Sequence, residues 1–533
     1  VALVLGKEMK KNPMKLAKQI ADQLKAAPLE FPTARPWMER VEAVVPGFIN
    51  FFLTPDFFTG ELKKILEQGE KYGRGVSEEG KKVLVEYTDP NPFKEFHIGH
   101  LMSNTIGEAI SRLIESQGAE VKRACYQGDV GMHVAKAIWG SLKRKTQNAK
   151  QESVKEIKDW GEAYAFGAQA YESDETTKKE ITDLNKKIYE GSDKAVSNLY
   201  DAGKKASLEY FETIYKRLGT KFDYYFFESE SGPVGQKLVE ENVNKVFEKS
   251  DGAVVFKGEP YGLHTRVFLT REDLPTYEAK ELGLAKLKFE RYPYDESVVI
   301  TGNEVNAYFD VLLKAMELVF PNLASKTAHI GHGMLRLTTG KMSSRTGSVV
   351  IAENLLAEVK TAVNQKITER DFDDKEREMI AEAVAIAAVK YSILKQAPGR
   401  DIIFDLAKSL SLEGDSGPYL QYAYVRARAV MEFGRRASIG SAASKPPAEI
   451  SELERRLTRF PEVVARATAL YSPNFLLTYL TELASAFNTY YAAQKIVDQS
   501  DPHSPYRLAI VVGFSNVMKS GLTLLAVPVL ERM

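Results

Sequence analysis

One stretch, residues 81–131, leaves few folds open to this chain. KKVLVEYTDPN reads as a buried strand closed by prolines. HIGHLMSNTIGEAISRLIESQG then carries apolar residues at helical spacing and ends on Gly118, and EVKRACYQGD is a second strand. A strand, a loop, a helix and a returning strand make the βαβ opening of a doubly wound parallel sheet, so the expected fold is α/β and Rossmann-like.

At 533 residues the chain is too long for one hydrophobic core, and at roughly 100–200 residues per domain it should hold three or four. Residues 1–75 read as a small α+β unit, with one helix in MKLAKQIADQLKAA, a strand-like run in VEAVVPGFINFFLT and a helix in FTGELKKILEQGEKYG. Residues 76–350 are read as the catalytic α/β domain. Within it, residues 141–225 are charged and helical in pattern, an excursion inserted into the sheet. Strand signals return in GAVVFKG, RVFLT, SVVITG and GSVVIAE. Residues 351–374 are read as a connecting stem, and 375–533 as an all-α bundle, from stretches such as EREMIAEAVAIAAVKYSILK. SIGSAASKPPAEISELE is a loop between bundle helices.

Composition narrows the function. No apolar run reaches the ~20 residues of a membrane span. The one cysteine, Cys125, excludes an intramolecular disulfide and a paired-cysteine zinc site, so a reducing cytosol and no protein-bound metal are expected. The opening VALVLGKEM lacks the charged start and cleavage site of a secretory signal, and the sequence is read as beginning inside a domain. With 72 basic and 72 acidic residues the net charge is zero, so any nucleic-acid surface must be a local patch.

The chemistry concentrates in two segments. Asn91-Pro92-Phe93-Lys94-Glu95-Phe96-His97-Ile98-Gly99-His100 lies where a strand turns into a helix. Backbone N–H groups at a helix start favour phosphate, Gly99 permits close approach of a nucleotide, and His97, His100 and Lys94 can donate to developing negative charge. His329-Ile330-Gly331-His332 spells the same four letters, but GMLRLTTGK follows it rather than a helix, so that copy is read as non-functional. The second segment is Gly340-Lys341-Met342-Ser343-Ser344-Arg345-Thr346-Gly347, a small-residue basic loop. There Lys341 and Arg345 could clamp a triphosphate with the serine hydroxyls as further donors.

Together these segments resemble the HIGH and KMSKS signatures of class I aminoacyl-tRNA synthetases. Their surroundings are similar to the arginyl family: Val85-Glu86-Tyr87-Thr88-Asp89-Pro90-Asn91 with Lys94; Gln127-Gly128-Asp129-Val130-Gly131; Leu274-Pro275-Thr276-Tyr277 with Glu281; GDSGPYLQYAYVRARAV and the terminal Glu531-Arg532-Met533. The resemblance covers essentially the whole chain, with the N-terminal tRNA-binding module shortened. It implies an ATP site at His97, Gly99, His100, Lys341, Met342, Ser343 and Ser344, with ATP entering as its Mg²⁺ complex. It implies an arginine site lined by Glu86, Asp89, Asn91, Tyr277, Glu281 and Asn303, and tRNA contacts at Tyr419, Tyr422, Arg426 and Met533. The residues themselves agree: a guanidinium needs a carboxylate and favours an aromatic wall, and Tyr277 and Glu281 lie four apart on a predicted helix. At least half of the bundle tyrosines are assigned to packing.

Several positions depart from the family pattern. Ser344 stands in place of the second loop lysine, for which Lys94 is thought to compensate. Asp89 replaces a small residue, Asn303 a glutamine, Glu281 the commoner Asp and Val130 a tryptophan. The implied reaction is activation of arginine by ATP and transfer to tRNA(Arg), by a monomer in the cytosol. The insertion is too short and charged for a hydrolytic editing domain, as expected where buried acids left unpaired already reject other amino acids. A class I synthetase for another amino acid, lysine in particular, and a catalytically silent tRNA-binding paralogue remain as alternatives.

Overall fold

The computed structural model describes residues 2–26, 37–147, 156–337, 350–366, 372–443, 446–447 and 449–533. Its centre is a five-stranded sheet of β1 (Lys82–Glu86), β2 (Glu120–Gln127), β3 (Tyr224–Phe227), β4 (Glu296–Gly302) and β5 (Thr327–His332). All neighbours are parallel, in the spatial order β3-β2-β1-β4-β5. The chain winds outward from β1 in both directions, which opens a crevice between β1 and β4 at the carboxyl ends of the strands. β1 shows why its sequence is an unbroken apolar run. Val83 and Val85 join the large core beneath helix α1 (Ile98–Ser116), while Leu84 faces Ala124, Phe226 and Leu284 on the other side.

The excursion between β2 and β3 is helical as its charge pattern predicts, ending in the long helix α2 (Lys194–Leu218). Among the described residues, only SVVITG of the four later strand signals enters the parallel sheet. GAVVFKG and RVFLT form a separate antiparallel sheet of Glu248–Ser250, Ala253–Phe256 and Arg266–Leu269. The reason is local: Asp251 and Gly252 both take positive φ, 50° and 82°, giving the tight two-residue turn that makes consecutive strands antiparallel neighbours. Helix α3 (Tyr277–Arg291) follows and covers β1. GSVVIAE supplies no sheet strand among its described residues. Ile351 makes an isolated bridge to His97, and a helix starts at Ala352. In the N-terminal unit the single strand-like run is a hairpin, Met38–Val44 paired with Phe48–Leu53, because Pro46 and Gly47 (φ 147°) break it with a turn.

The C-terminal bundle is built on α4 (Asp374–Leu394), α5 (Gly417–Arg436), α6 (Asn474–Ala493) and α7 (Ser504–Leu524). Its apolar core is continuous with that under β1 and α1.

Lys390 of α4 is buried in this junction, donating to the carbonyls of Leu218 and Ala526 at 2.6 and 2.7 Å. Burial, followed by the nearby Arg112 charge, pushes its pKa down to about 7. A neutral amine still has the two N–H groups these carbonyls need. Between pH 7 and the unfolded value near 10.5 the unfolded chain holds a proton that the native state has released, so stability rises with pH in that window. Lys390→Met should remove this rise, worth about 2 kcal/mol between pH 7 and 9. Urea unfolding of both proteins at each pH checks it: a wild-type-minus-variant difference that stays constant with pH would contradict the assignment.

Candidate active site

Leaving β1 at Glu86, the chain passes through a contorted turn, with Thr88, Asp89 and Phe93 at φ of 83°, 46° and 68°, before entering α1. His97 is the N-cap of that helix. Its Nδ1 accepts the backbone N–H of Gly99 and His100 at 3.1 and 3.4 Å, and the Nδ1 of His100 accepts the His97 N–H at 3.3 Å. The two rings stack at 3.4 Å. A Cβ on residue 99 would lie 2.9 Å from the His97 ring, so glycine there makes room for the cap. Since both Nδ1 atoms accept, each neutral ring carries its proton on Nε2 and offers it as a donor. Burial first, then the Lys94 charge, lowers the His97 pKa to about 4, and burial, His97 and Lys94 hold His100 well below its ordinary value. At neutral pH the pair therefore consists of uncharged donors. The positive charge comes from Lys94, whose Nζ rests 4.4 Å from the ring centre of Tyr164 on the inserted helix Ile157–Ser173.

Lys341, Met342, Ser343, Ser344 and Arg345 lie outside the described residues. The segment that follows their loop does reach the histidines: Ile98 N–H donates to the Val350 carbonyl at 3.0 Å and Ala352 N–H to that of Phe96 at 2.9 Å. The second HIGH copy occupies the edge strand β5 and caps no helix. His329 stacks on Phe309 at 3.7 Å and shares a 2.7 Å hydrogen bond with Thr301, while the His332 Nδ1 is 2.8 Å from the Gly333 carbonyl.

The carboxyl end of β1 gathers a group of acids. Glu86 accepts from Lys288 at 2.8 Å and Glu228 from Lys280 at 2.6 Å. Asp89 accepts only the backbone N–H of Tyr126, at 2.7 Å, and Glu281 has no hydrogen bond or ion pair among the described residues. Burial, then the Glu86 charge, raises Asp89 well above the carboxylate range and Glu281 to about 8, and burial raises Glu228 despite Lys280. Four carboxylates thus share two lysines, and the pocket is short of positive charge. Asn91 joins them because residue 128 is glycine: a Cβ there would fall 2.4 Å from the Asn91 Oδ1. Behind this, Asp129 is buried. Burial opposes its ionisation, but Lys204, Ser229 and Tyr200, each donating at 2.7 Å, keep its pKa below the ordinary value.

Tyr277 differs from the expected aromatic wall. It begins α3, is 66 % exposed, and stands at the mouth. The aromatic groups that feel the Glu281 charge are Tyr126 and Tyr308, whose hydroxyl pKa values are raised well above normal by burial, with the acids adding to it. Sequence reasoning missed these two and also Glu228, Lys280 and Lys288. The only signal was the spacing of Lys288, seven residues from Glu281 on one helical face. Asn303 is half-buried on the short turn Asn303–Val305 at the carboxyl end of β4.

In the bundle, Tyr419 is a packing residue rather than an RNA-facing one: it is buried and its hydroxyl accepts from Asn488 at 3.1 Å. Helix packing turns that side of α5 inward. Tyr422 and Arg426 are both half-buried and lie together. Arg426 donates to Asn488 at 2.6 Å and to the Tyr422 hydroxyl at 3.1 Å, with the ring of Tyr491, another residue the sequence reading passed over, 5.2 Å away. Met533 is half-buried against the core.

Residues 61–406 match the family described as tRNA synthetases class I (R), catalytic domain; 420–533 match the DALR anticodon binding domain, and 1–53 the arginyl tRNA synthetase N terminal domain. The chain belongs to the class I arginyl-tRNA synthetase family. A relative from Clostridium acetobutylicum described as an arginine–tRNA ligase is 30 % identical over 99 % of this chain and 92 % of its own length. One from Clostridium perfringens with the same description is 29 % identical over the same shares. The solved Thermus thermophilus arginyl-tRNA synthetase superposes with a TM-score of 0.80 at 25 % identity, covering 100 % of this chain and 93 % of that one. That from Plasmodium falciparum, at 20 % identity, shares the fold with a TM-score of 0.78, over 99 % of this chain and 90 % of its own. Membership in the arginyl-tRNA synthetase family makes the chain an aminoacyl-tRNA ligase for arginine. Among the described residues no helix is long and apolar enough to cross a membrane, and no cluster of His, Cys, Asp and Glu has the makings of a metal site.

Proposed function

We propose that the crevice binds L-arginine with its guanidinium toward Glu281 and Asp89, and Mg–ATP with its phosphates toward the α1 N-terminus. The observation that carries this reading is the charge deficit of the pocket, which a guanidinium fills with a planar, multiply donating cation. Glu86, Asn91 and Tyr277 complete the arginine site, with Asn303 at the opposite lip. The arginine carboxylate attacks the α-phosphorus in line and pyrophosphate leaves. A ribose hydroxyl at the tRNA 3′ end then attacks the carbonyl carbon of the arginyl-adenylate, the acyl–phosphate bond breaks, and AMP leaves with the hydroxyl proton passing to its phosphate. Neither step calls for a dedicated base. His97 and His100 donate Nε2–H to phosphate oxygens, while Lys94, with Lys341 and Arg345 from the following loop, balances charge as it develops. Met342, Ser343 and Ser344 serve as further ATP-binding residues. Tyr422, Arg426 and Met533 meet the anticodon of tRNA(Arg), and the enzyme works as a monomer in the cytosol.

The test is amino-acid-dependent ATP–pyrophosphate exchange with all twenty amino acids, with and without total tRNA. Exchange with arginine alone is expected. Exchange driven better by lysine would overturn the pocket assignment, and none under either condition would indicate a silent paralogue.

A further inference from the structure

The turn that carries Asp89 is strained, and the groups holding it lead away from the crevice. Thr88 is β-branched at φ 83°, a backbone state that persists only when its surroundings impose it. Its N–H donates to the Ser103 hydroxyl at 2.9 Å, and its own hydroxyl accepts from Asn104 at 3.0 Å; both partners lie on α1. Asn104 in turn accepts from Thr220, just beyond the end of α2, at 3.1 Å. Tyr87, between Glu86 and Thr88, is pressed against α1 so closely that a Cβ on Gly107 would fall 2.2 Å from its ring. Its hydroxyl donates to Glu108 at 2.5 Å, and Glu108 accepts from Arg112 at 2.7 Å.

Arg112 completes the line. With its remaining N–H groups it donates to the Gly219 carbonyl at 2.7 Å and to that of Thr523, in the last turn of α7, at 2.8 Å. Lys390 ties the same two chain ends a second time, at Leu218 and Ala526. From Ala526 the last residues run back to α5, where Gln421 donates to the Pro528 carbonyl at 2.8 Å and Arg428 pairs with Glu531, on the helix that carries Tyr422 and Arg426.

The geometry points to a relay in which Tyr87, Glu108 and Arg112 are positioning residues. They couple the C-terminal turn of the anticodon-binding bundle to the backbone that sets Glu86 and Asp89. The proposal rests on the arginine pocket described above. Each link is a short, directional contact between groups with no slack, so a shift of the α7 end relative to α1 must move or break one of them. Displacement on the RNA-facing side of α5 therefore reaches the acids of the pocket, while the histidine cap, held by its own bonds, stays in place.

Tyr87→Phe deletes one hydroxyl, and Arg112→Lys keeps the charge but loses the fork. Both are compared with wild type in exchange assays and in charging of cognate tRNA against a transcript altered at one anticodon base. The expected result is an arginine KM about tenfold higher, an ATP KM within about twofold, and at least about fivefold less discrimination between the two tRNAs. If Arg112→Lys does not fold, Tyr87→Phe alone decides. An arginine KM within twofold of wild type, an equal rise in both KM values, or unchanged discrimination would overturn the relay. Glu281→Gln in the same assays separates the two readings: if it raises the arginine KM and the relay variants do not, only the relay fails; if it too has no effect, the pocket reading itself fails.

Discussion

Glu281→Gln is expected to raise the KM for arginine by roughly 30- to 5,000-fold, the range set by truncating one side of a desolvated, hydrogen-bonded charge pair at about 2–5 kcal/mol. The amide has nearly the carboxylate's shape, so the loss measures charge rather than packing. The ATP KM should stay within a few-fold. The same carboxyl gives the binding a pH signature. Burial and the Glu86 charge place its pKa at about 8 in the free enzyme, so near neutrality it carries a proton much of the time. A guanidinium binds the ionised form. Arginine affinity should therefore climb as pH rises from 6 to 8 and level off above, with a proton released on binding at the lower pH. Glu281→Gln should flatten that climb. Titration calorimetry in buffers of different ionisation enthalpy reads the proton directly. Tight arginine binding by the variant with an unaltered pH profile would place the guanidinium elsewhere.

His100→Ala should lower the rate of adenylate formation by roughly 10²–10³-fold, the effect of removing one donor aimed at developing oxyanion charge, while arginine still binds. The variant also loses the acceptor for the His97 N–H, but a missing helix cap costs about 1 kcal/mol, too little to explain such a fall through unfolding. Single-turnover formation of the adenylate, followed beside thermal melting, separates the two effects. A turnover equal to wild type would remove His100 from the chemistry. Because the imidazole pKa is held well below its ordinary value by burial, the free enzyme should show no loss of activity from His100 ionisation between pH 6 and 8.

What the sequence determined by itself was whatever depends on neighbours along the chain. The βαβ opening follows from an apolar run, a proline-bounded turn and helical spacing. The two HIGH copies were told apart by what comes after each. Motif spacing and the arginyl resemblance then carried the function. Where local chemistry was overlooked, as at Pro46-Gly47 and Asp251-Gly252, the turn residues were present in the text all along. The tertiary structure decided what arises between segments far apart. Whether Tyr419 faces RNA or the core depends on how α5 packs on α6. That Tyr277 stands at the mouth while Tyr126 and Tyr308 feel the Glu281 charge depends on the path of α3 across the sheet. The pairing of Glu86 with Lys288, 202 residues apart, and of Glu228 with Lys280 sets how many negative charges remain for a ligand. Burial and long-range pairing govern an acid's ionisation, and neither is a property of its sequence neighbours. The acids could be named from the sequence, but their charge deficit exists only in the fold.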